Sequence, residues 1–534
     1  MADYIGTVKT KYGLMRGVEL DGRYEGITEF RGIPFAAPPV GKLRWRPPVD
    51  PKAWSGVRDC VSYGPICIQP TDGDLDAEPW ASDFYFMGGP AMSEDCLYLN
   101  LATGAAKAGE NRPVFMWFHG GGVDHGYSYE VEFNPAELAK KGIIVVSVAQ
   151  RLSAFGYMAL PQLSAEQGGT SGNYILMDDI KALEWVVENI EAFGGDPDNI
   201  TVGGQSAGTM KAVTLAYSPL GRRHVKHIIN QTALVWRREF STLEDAYQEC
   251  QEFLEEIGIS PDASLEELRR ADPYVFIKRK SGKRLPGPLV WDGNLIPNRS
   301  MVETTAQYGG LMDYLAGSNL GETKMDASSG RDKPGFTKAA DFYAFCRELL
   351  GDLYEKYDFE NLVRVTDENV DRESRRLASY GLHNDSGRMG GLMLNRYFGA
   401  LRAKTAPDKN TFTYLFSRVS PNRPEDYGTI RDPKILMSWH SNELWYTFAS
   451  LRENTPPARP WEKIDFETAD RMSSYWANFM KTGDPNGEGL PLWPKSDASY
   501  GTAELGEEVT AIDHKRKIDE LIIEYLQKEN VFDL

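Results

Sequence analysis

Gly204-Gln205-Ser206-Ala207-Gly208 stands between Asn199-Ile200-Thr201-Val202-Gly203, which reads as a buried strand, and Thr209-Met210-Lys211-Ala212-Val213-Thr214-Leu215-Ala216, which reads as a helix. A Gly-x-Ser-x-Gly pentapeptide at a strand-to-helix turn holds a serine hydroxyl clear of the backbone as a nucleophile. The turn is too tight for side chains near the serine, so glycine stands two residues away on either side. The helix N-terminus that follows favours an incoming oxyanion. The pentapeptide also occurs by chance in loops, so its meaning depends on the rest of the chain.

Working outward, Pro113-Val114-Phe115-Met116-Trp117-Phe118 and Ile143-Ile144-Val145-Val146-Ser147-Val148 are continuous apolar runs. Such runs belong to strands covered on both faces. Between them and the serine, Asp178 to Phe193 carries Ile180, Leu183, Val187 and Ile190 at helical spacing, with Asp178 or Asp179 as the expected N-cap. Alternating strands and helices predict a mainly parallel sheet flanked by helices. Residues 4 to 20 alternate and predict a small antiparallel N-terminal sheet. Residues 30 to 48, FRGIPFAAPPVGKLRWRPP, are extended because proline and glycine exclude helix. Residues 240–300 and 335–405 read as helical insertions, Met312 to Gly317 and Phe412 to Phe416 as strands, and 467–483 and 515–528 as amphipathic helices. With neither repeats nor a linker-like stretch, 1–534 is expected to be one domain.

Composition narrows the function. The chain has 534 residues, 41% of them hydrophobic, with 12 Trp, 26 Tyr and 23 Phe, which is enough for a large core. A net charge of −18 argues against nucleic acid and anionic membranes as partners. Met1 to Val8 shows neither a basic nor an apolar leader segment, and no apolar run reaches membrane-spanning length. A cytoplasmic location is expected. Cys60, Cys67, Cys96, Cys250 and Cys346 have no metal-ligand spacing. Asp72-Gly73-Asp74-Leu75-Asp76 hints at calcium, but the sixth and twelfth positions of such a loop are Ala77 and Asp83, not Gly and Glu. The expectation is no metal and no cofactor.

A serine nucleophile needs a base, a group that orients the base, and oxyanion donors. His119-Gly120-Gly121-Gly122 follows the strand ending at Phe118, and glycines leave backbone N–H groups open to a reacting oxygen. No Gly-Lys-Ser/Thr follows, which argues against a phosphate loop. Candidate bases after the serine are His383, His440 and His514, with His440 set among Trp439, Trp445 and Tyr446. Candidate acids between are Asp313, Glu322 and Asp326, Glu322 ending the strand-to-loop stretch Gly317-Ser318-Asn319-Leu320-Gly321-Glu322.

Nearly the whole chain resembles the type-B carboxylesterase/cholinesterase family of α/β-hydrolases. The resemblance rests on residues 30–48, on Ser93-Glu94-Asp95-Cys96-Leu97-Tyr98-Leu99-Asn100, on Phe193-Gly194-Gly195-Asp196-Pro197 through the serine pentapeptide, and on Tyr475-Trp476-Ala477-Asn478-Phe479 with Gly483-Asp484-Pro485-Asn486-Gly487. It implies the α/β-hydrolase fold, with a large mainly parallel central sheet, a small N-terminal antiparallel sheet and helical insertions. It implies Ser206 as nucleophile, Glu322 as acid, His440 as base, and Gly121, Gly122 and Ala207 as oxyanion donors. It also implies a disulfide between Cys67 and Cys96, and ion pairs of Arg44 with Glu94 and of Arg151 with Asp178. Three positions depart from the family pattern: Gln205 where cholinesterases carry Glu, Thr232 where Ser is usual, and Val123 where Phe is usual.

The expected activity is serine-dependent hydrolysis of small to medium carboxylic esters through an acyl-enzyme. Trp80, His125, Gln205, Trp236, Met437 and Trp439 are candidate pocket residues, and their aromatic character points to aryl or hydroxycinnamoyl esters. Two alternatives are a non-catalytic adhesion or scaffold protein on the same fold, and hydrolysis of amides or carbamates by the same residues. The expected partner is a small-molecule ester, and the expected state is a monomer or homodimer.

Overall fold

The computed structural model describes residues 3–70, 89–232, 239–278, 287, 289–326, 335–384, 391–429, 431–451, 459–529 and 531. The acidic stretch from Asp72 to Asp76, Trp80 and Trp236 lie outside them. The chain gathers into two compact units. One takes Met1–Gly73, Tyr85–Ile228 and Arg238–Gly309; the other takes Asp74–Phe84, Ile229–Arg237 and Gly310–Leu534.

The strands of the first unit are β1 (Thr7–Thr10), β2 (Gly13–Arg16), β3 (Val18–Glu19), β4 (Thr28–Pro34), β5 (Val57–Asp59), β6 (Tyr98–Thr103), β7 (Arg112–Phe118), β8 (Ile144–Val148) and β9 (Gly195–Gln205). β1 and β2 form the expected antiparallel hairpin, and β5 joins β2 in parallel. In the larger sheet the neighbours run β3-β4-β6-β8-β7-β9. β7 is parallel to both β8 and β9, whereas β6 is antiparallel to β8 and to β4. Val114 to Phe118 are all fully buried, as a run apolar on both faces requires.

Helix α1 (Tyr174–Asn189) continues into a 3₁₀ turn, Ile190–Phe193. It starts four residues before the expected N-cap, because Tyr174, Ile175 and Leu176 extend its buried stripe. Its N-cap position is Asn173 in left-handed backbone, and the Asn173 amide is bonded to both backbone groups of Val290. Asp178 therefore does not cap. It accepts from Arg151 Nη2 at 2.6 Å in a buried pair, and Arg44 makes a matching pair with Glu94 at 2.6 Å. Helix α2 (Ala207–Tyr217) follows β9, and α3 (Leu243–Glu256) and α4 (Leu265–Arg270) begin on caps from Thr242 and Ser264.

In the second unit, the last three residues of β10 (Val225–Gln231) precede β11 (Asp313–Asn319), β12 (Thr411–Phe416), β13 (Thr502–Leu505) and β14 (Val509–Ile512). β11, β12 and β13 are parallel neighbours, and β14 turns back antiparallel. The expected helical stretches appear as α5 (Ala339–Leu350), α6 (Val370–Tyr380) and α7 (Leu392–Thr405), then α8 (Lys463–Thr482) and α9 (Lys517–Lys528). Among the described residues, no helix is long and apolar enough to cross a membrane.

All five cysteines are buried free thiols. The pair expected as a disulfide, Cys67 and Cys96, meets thiol to thiol. That contact, together with burial, lifts the Cys96 pKa well above its ordinary value. The Cys67 sulfur also accepts the Leu152 N–H at 3.3 Å.

Candidate active site

Ser206 lies between β9 and α2 with φ +55 and ψ −125, a backbone region that costs a non-glycine residue roughly 1–3 kcal/mol. The left-handed backbone falls on the serine and not on its flanking glycines, which are needed for close approach. A Cβ on Gly204 would overlap the Gly208 peptide, and one on Gly208 would overlap the Phe118 carbonyl at the end of β7. The serine turn is thus wedged against the strand that leads into the glycine-rich loop.

That loop curls tightly. Gly121 and Gly122 have φ +91 and +62. The Gly121 carbonyl accepts the N–H groups of Asp124 and His125 at 3.2 and 3.1 Å. Gly120 faces the serine turn so closely that a Cβ there would lie 3.0 Å from Gln205 Oε1 and 3.3 Å from Ser206 Cβ. Gln205 is buried at this contact. Further along, Gln69 brackets Gly126, its Nε2 donating to the Gly126 carbonyl at 3.0 Å and its Oε1 accepting the Gly126 N–H at 2.7 Å. His119 Nδ1 donates to the Gly120 carbonyl at 2.9 Å. Burial, aided by nearby Lys211, holds the His119 pKa well below its ordinary value, so this ring is a neutral structural group. His125 is partly exposed, with Nδ1 2.5 Å from the buried Asp124 carboxylate.

In the second unit the end of β11 carries Glu322 toward residues 436–443. Gly321 N–H donates to the Ser438 carbonyl at 2.8 Å, and a Cβ on Gly321 would overlap the Leu436 carbonyl. Asn319 Nδ2 donates to the Trp439 carbonyl at 2.8 Å. The loops bearing Glu322 and His440 are therefore stitched together just before the two residues. Glu322 Oε1 accepts the Asn319 N–H at 3.0 Å and the Thr232 hydroxyl at 2.6 Å. Thr232 pays for this position with φ +69, unusual for a β-branched residue. Met437 and Ser441, which bracket His440, also have positive φ, +53 and +73.

Beneath this pair lies Glu443, fully buried. Its carboxylate accepts from Asn319 Nδ2 and, at 3.3 Å, from Gln231 Nε2, whose Oε1 accepts the Trp476 indole N–H at 3.2 Å. Burial outweighs these bonds and pushes its pKa up to about 7. A carboxyl raised above its unfolded value stabilises the folded state at low pH, and this contribution is lost as pH rises through about 7. The stability of Glu443→Gln relative to wild type is expected to rise by up to about 3 kcal/mol between pH 5 and 8. Denaturant titrations at the two pH values measure it; a pH-independent difference contradicts it.

The other candidates have different surroundings. His383 is buried and its carbonyl accepts the Tyr525 hydroxyl at 2.7 Å. His514 is 71% exposed beside Asp513. Asp313 accepts the Asn410 N–H and Asp326 accepts from Asn384, both at the ends of their segments. Trp439 is buried with Arg459 over its ring at 5.6 Å. Sequence reading missed Gln69, Lys211 and Glu443, and took Asp179 for an N-cap. Only Thr232 was signalled, as a hydroxyl at an unusual position.

Comparison with known proteins follows the same lines. The family model described as Carboxylesterase family matches residues 6–521. The chain is 29% identical to a fumonisin B1 esterase of Sphingopyxis macrogoltabida over 94% of this chain and 86% of the relative. It is 28% identical to a liver carboxylesterase of Sus scrofa, over 93% and 89%. A crystal structure of a Geobacillus stearothermophilus carboxylesterase superposes with a TM-score of 0.71 at 25% identity, covering 97% of this chain and 99% of that one.

Proposed function

Because the chain belongs to the carboxylesterase family and has its α/β-hydrolase fold, we propose that it hydrolyses carboxylic esters with Ser206 as nucleophile, His440 as base and Glu322 as the acid that orients it. The observation that carries this reading is the serine turn, where Ser206 itself takes the left-handed backbone and abuts Gly120. His440 takes the Ser206 proton as Oγ attacks the ester carbonyl. The N–H groups of Gly121, Gly122 and Ala207 receive the oxyanion, each worth about 3–4 kcal/mol in comparable sites. His440 then protonates the leaving alcohol, and water cleaves the acyl-enzyme by the same steps in reverse. Residues 1–534 act as one catalytic domain, a reading supported by the length of the family match.

On substrate, the reading is small to medium esters. The aryl or hydroxycinnamoyl class rests on the aromatic residues of the sequence alone, and a panel of esters varied separately in acyl and alcohol parts tests it. The nucleophile is tested by an organophosphate followed by peptide mass mapping. A single adduct on Ser206 is expected, and an adduct elsewhere with activity lost refutes the assignment.

Thr232 provides a finer test. Thr232→Val removes the hydroxyl that holds Glu322 while keeping the shape. It is expected to lower kcat roughly 10- to 150-fold, in proportion to a hydrogen bond to a charged group, with KM unchanged. Thr232→Ser keeps the hydroxyl and is expected to retain activity. Equal losses in both variants count against the role.

A further inference from the structure

Lys211 sits on α2, five residues after Ser206, and is 2% exposed. Its ammonium donates to the His119 carbonyl at 3.0 Å. With the Gln150 amide set so that its nitrogen donates to the Val148 carbonyl at 2.8 Å, the Gln150 oxygen accepts from the same ammonium at 2.6 Å. Burying a lysine is costly, and a packing role at this position needs only an apolar side chain. Its counter-charges are also buried. Asp179 on α1 is fully covered, and neither carboxylate oxygen has a hydrogen-bond partner. Glu130, in the segment after the glycines, is 5% exposed and accepts the Tyr127 N–H at 2.7 Å.

We propose that Lys211 is a positioning residue for the oxyanion loop, pinning the His119 carbonyl from behind so that the Gly121 and Gly122 N–H groups face the acyl carbonyl carried by Ser206. The geometry argues for this direction of support. The front of the loop is already wedged, Gly120 against Gln205 and Ser206 and Gly208 against Phe118. The far end is held by Gln69 at Gly126. The His119 carbonyl lies on the peptide just before the glycines, and the lysine that fixes it stands on the helix that begins at the serine. One helix thus carries the nucleophile, the Ala207 donor and the tether for the other two donors. Asp179 and Glu130 act against the burial that draws the Lys211 pKa down to about 8, while burial also raises their own carboxyls, Glu130 to about 7 and Asp179 well above its ordinary value.

This inference rests on the assignment of Ser206 and the glycine loop above. The test compares Lys211→Met with the double variant Lys211→Met/Asp179→Asn, in kcat, KM and melting temperature. Losing one oxyanion donor or displacing it by about 1 Å costs on the order of 10²-fold. Lys211→Met is therefore expected to lower kcat about 10²-fold with KM within about twofold. It is also expected to lose melting temperature, because Asp179 keeps a buried carboxylate without its cation. Asp179→Asn is expected to restore the melting temperature in the double variant and not the rate. Wild-type kcat in the double variant overturns the proposal, since Lys211 would then serve only to neutralise Asp179. If Lys211→Met does not fold, the double variant alone decides on the same criterion. Organophosphate labelling of the wild type, run alongside, separates the two ideas: no adduct on Ser206 removes the site reading, whereas an adduct together with an undiminished kcat removes only Lys211.

Discussion

Ser206→Ala is expected to lower kcat for p-nitrophenyl esters about a million-fold, and His440→Ala by a similar factor, with the fold retained. The two losses do not add, because a base with no nucleophile to deprotonate contributes nothing to the covalent step. The backbone at Ser206 adds a second, independent expectation. At φ +55 and ψ −125 the serine is held in a conformation that glycine adopts without a Cβ penalty. Ser206→Gly is therefore expected to be inactive yet more stable than wild type, by roughly 0.5–1 kcal/mol once the extra freedom of glycine in the unfolded chain is deducted from the strain released. Thermal or denaturant unfolding of the two variants, with turnover measured on the same preparations, checks both. Ester hydrolysis at more than about a hundredth of the wild-type rate in Ser206→Ala, free of contaminating enzyme, removes Ser206 from the mechanism.

Gly121→Ala is expected to have the next largest effect. The residue has φ +91, and a Cβ on it would overlap the His125 carbonyl, so neither the conformation nor the space admits alanine. The turn that closes on the Gly121 carbonyl through the Asp124 and His125 N–H groups must open. Donor N–H groups displaced from the developing oxyanion no longer stabilise it. The expected loss in kcat is on the order of 10²- to 10³-fold. Melting temperature should fall as well, in keeping with the few kcal/mol attached to strain at a special backbone position. A variant with kcat within threefold of wild type shows that the loop does not supply the donors.

Much of this was legible in the chain. The apolar runs at β7 and β8 are buried on both faces, and the strand-to-helix turn at Ser206 is where the pentapeptide predicts it. The clearest misreading concerns α1. Asp178 and Asp179 look like N-caps because acidic residues at the head of an amphipathic stretch usually face solvent. Here one is consumed by Arg151 and the other is buried on the α2 side, under the influence of Lys211, so the helix starts at Tyr174.

Sequence alone determined the elements whose cause is local. Periodicity sets which face of a strand or helix is apolar, glycine marks where backbones must approach, and the residues proposed from the family resemblance, Ser206, Glu322 and His440, stand in the chain order expected of such a triad. Tertiary structure decided what supports them: Gln69 on Gly126, Thr232 on Glu322, Gln231 on Glu443 and Lys211 on His119. Each is a polar side chain that sequence statistics place at the surface, because burial of an unpaired polar group is unfavourable. Only a partner distant in sequence makes that burial tolerable, and no local pattern records which distant residue will arrive.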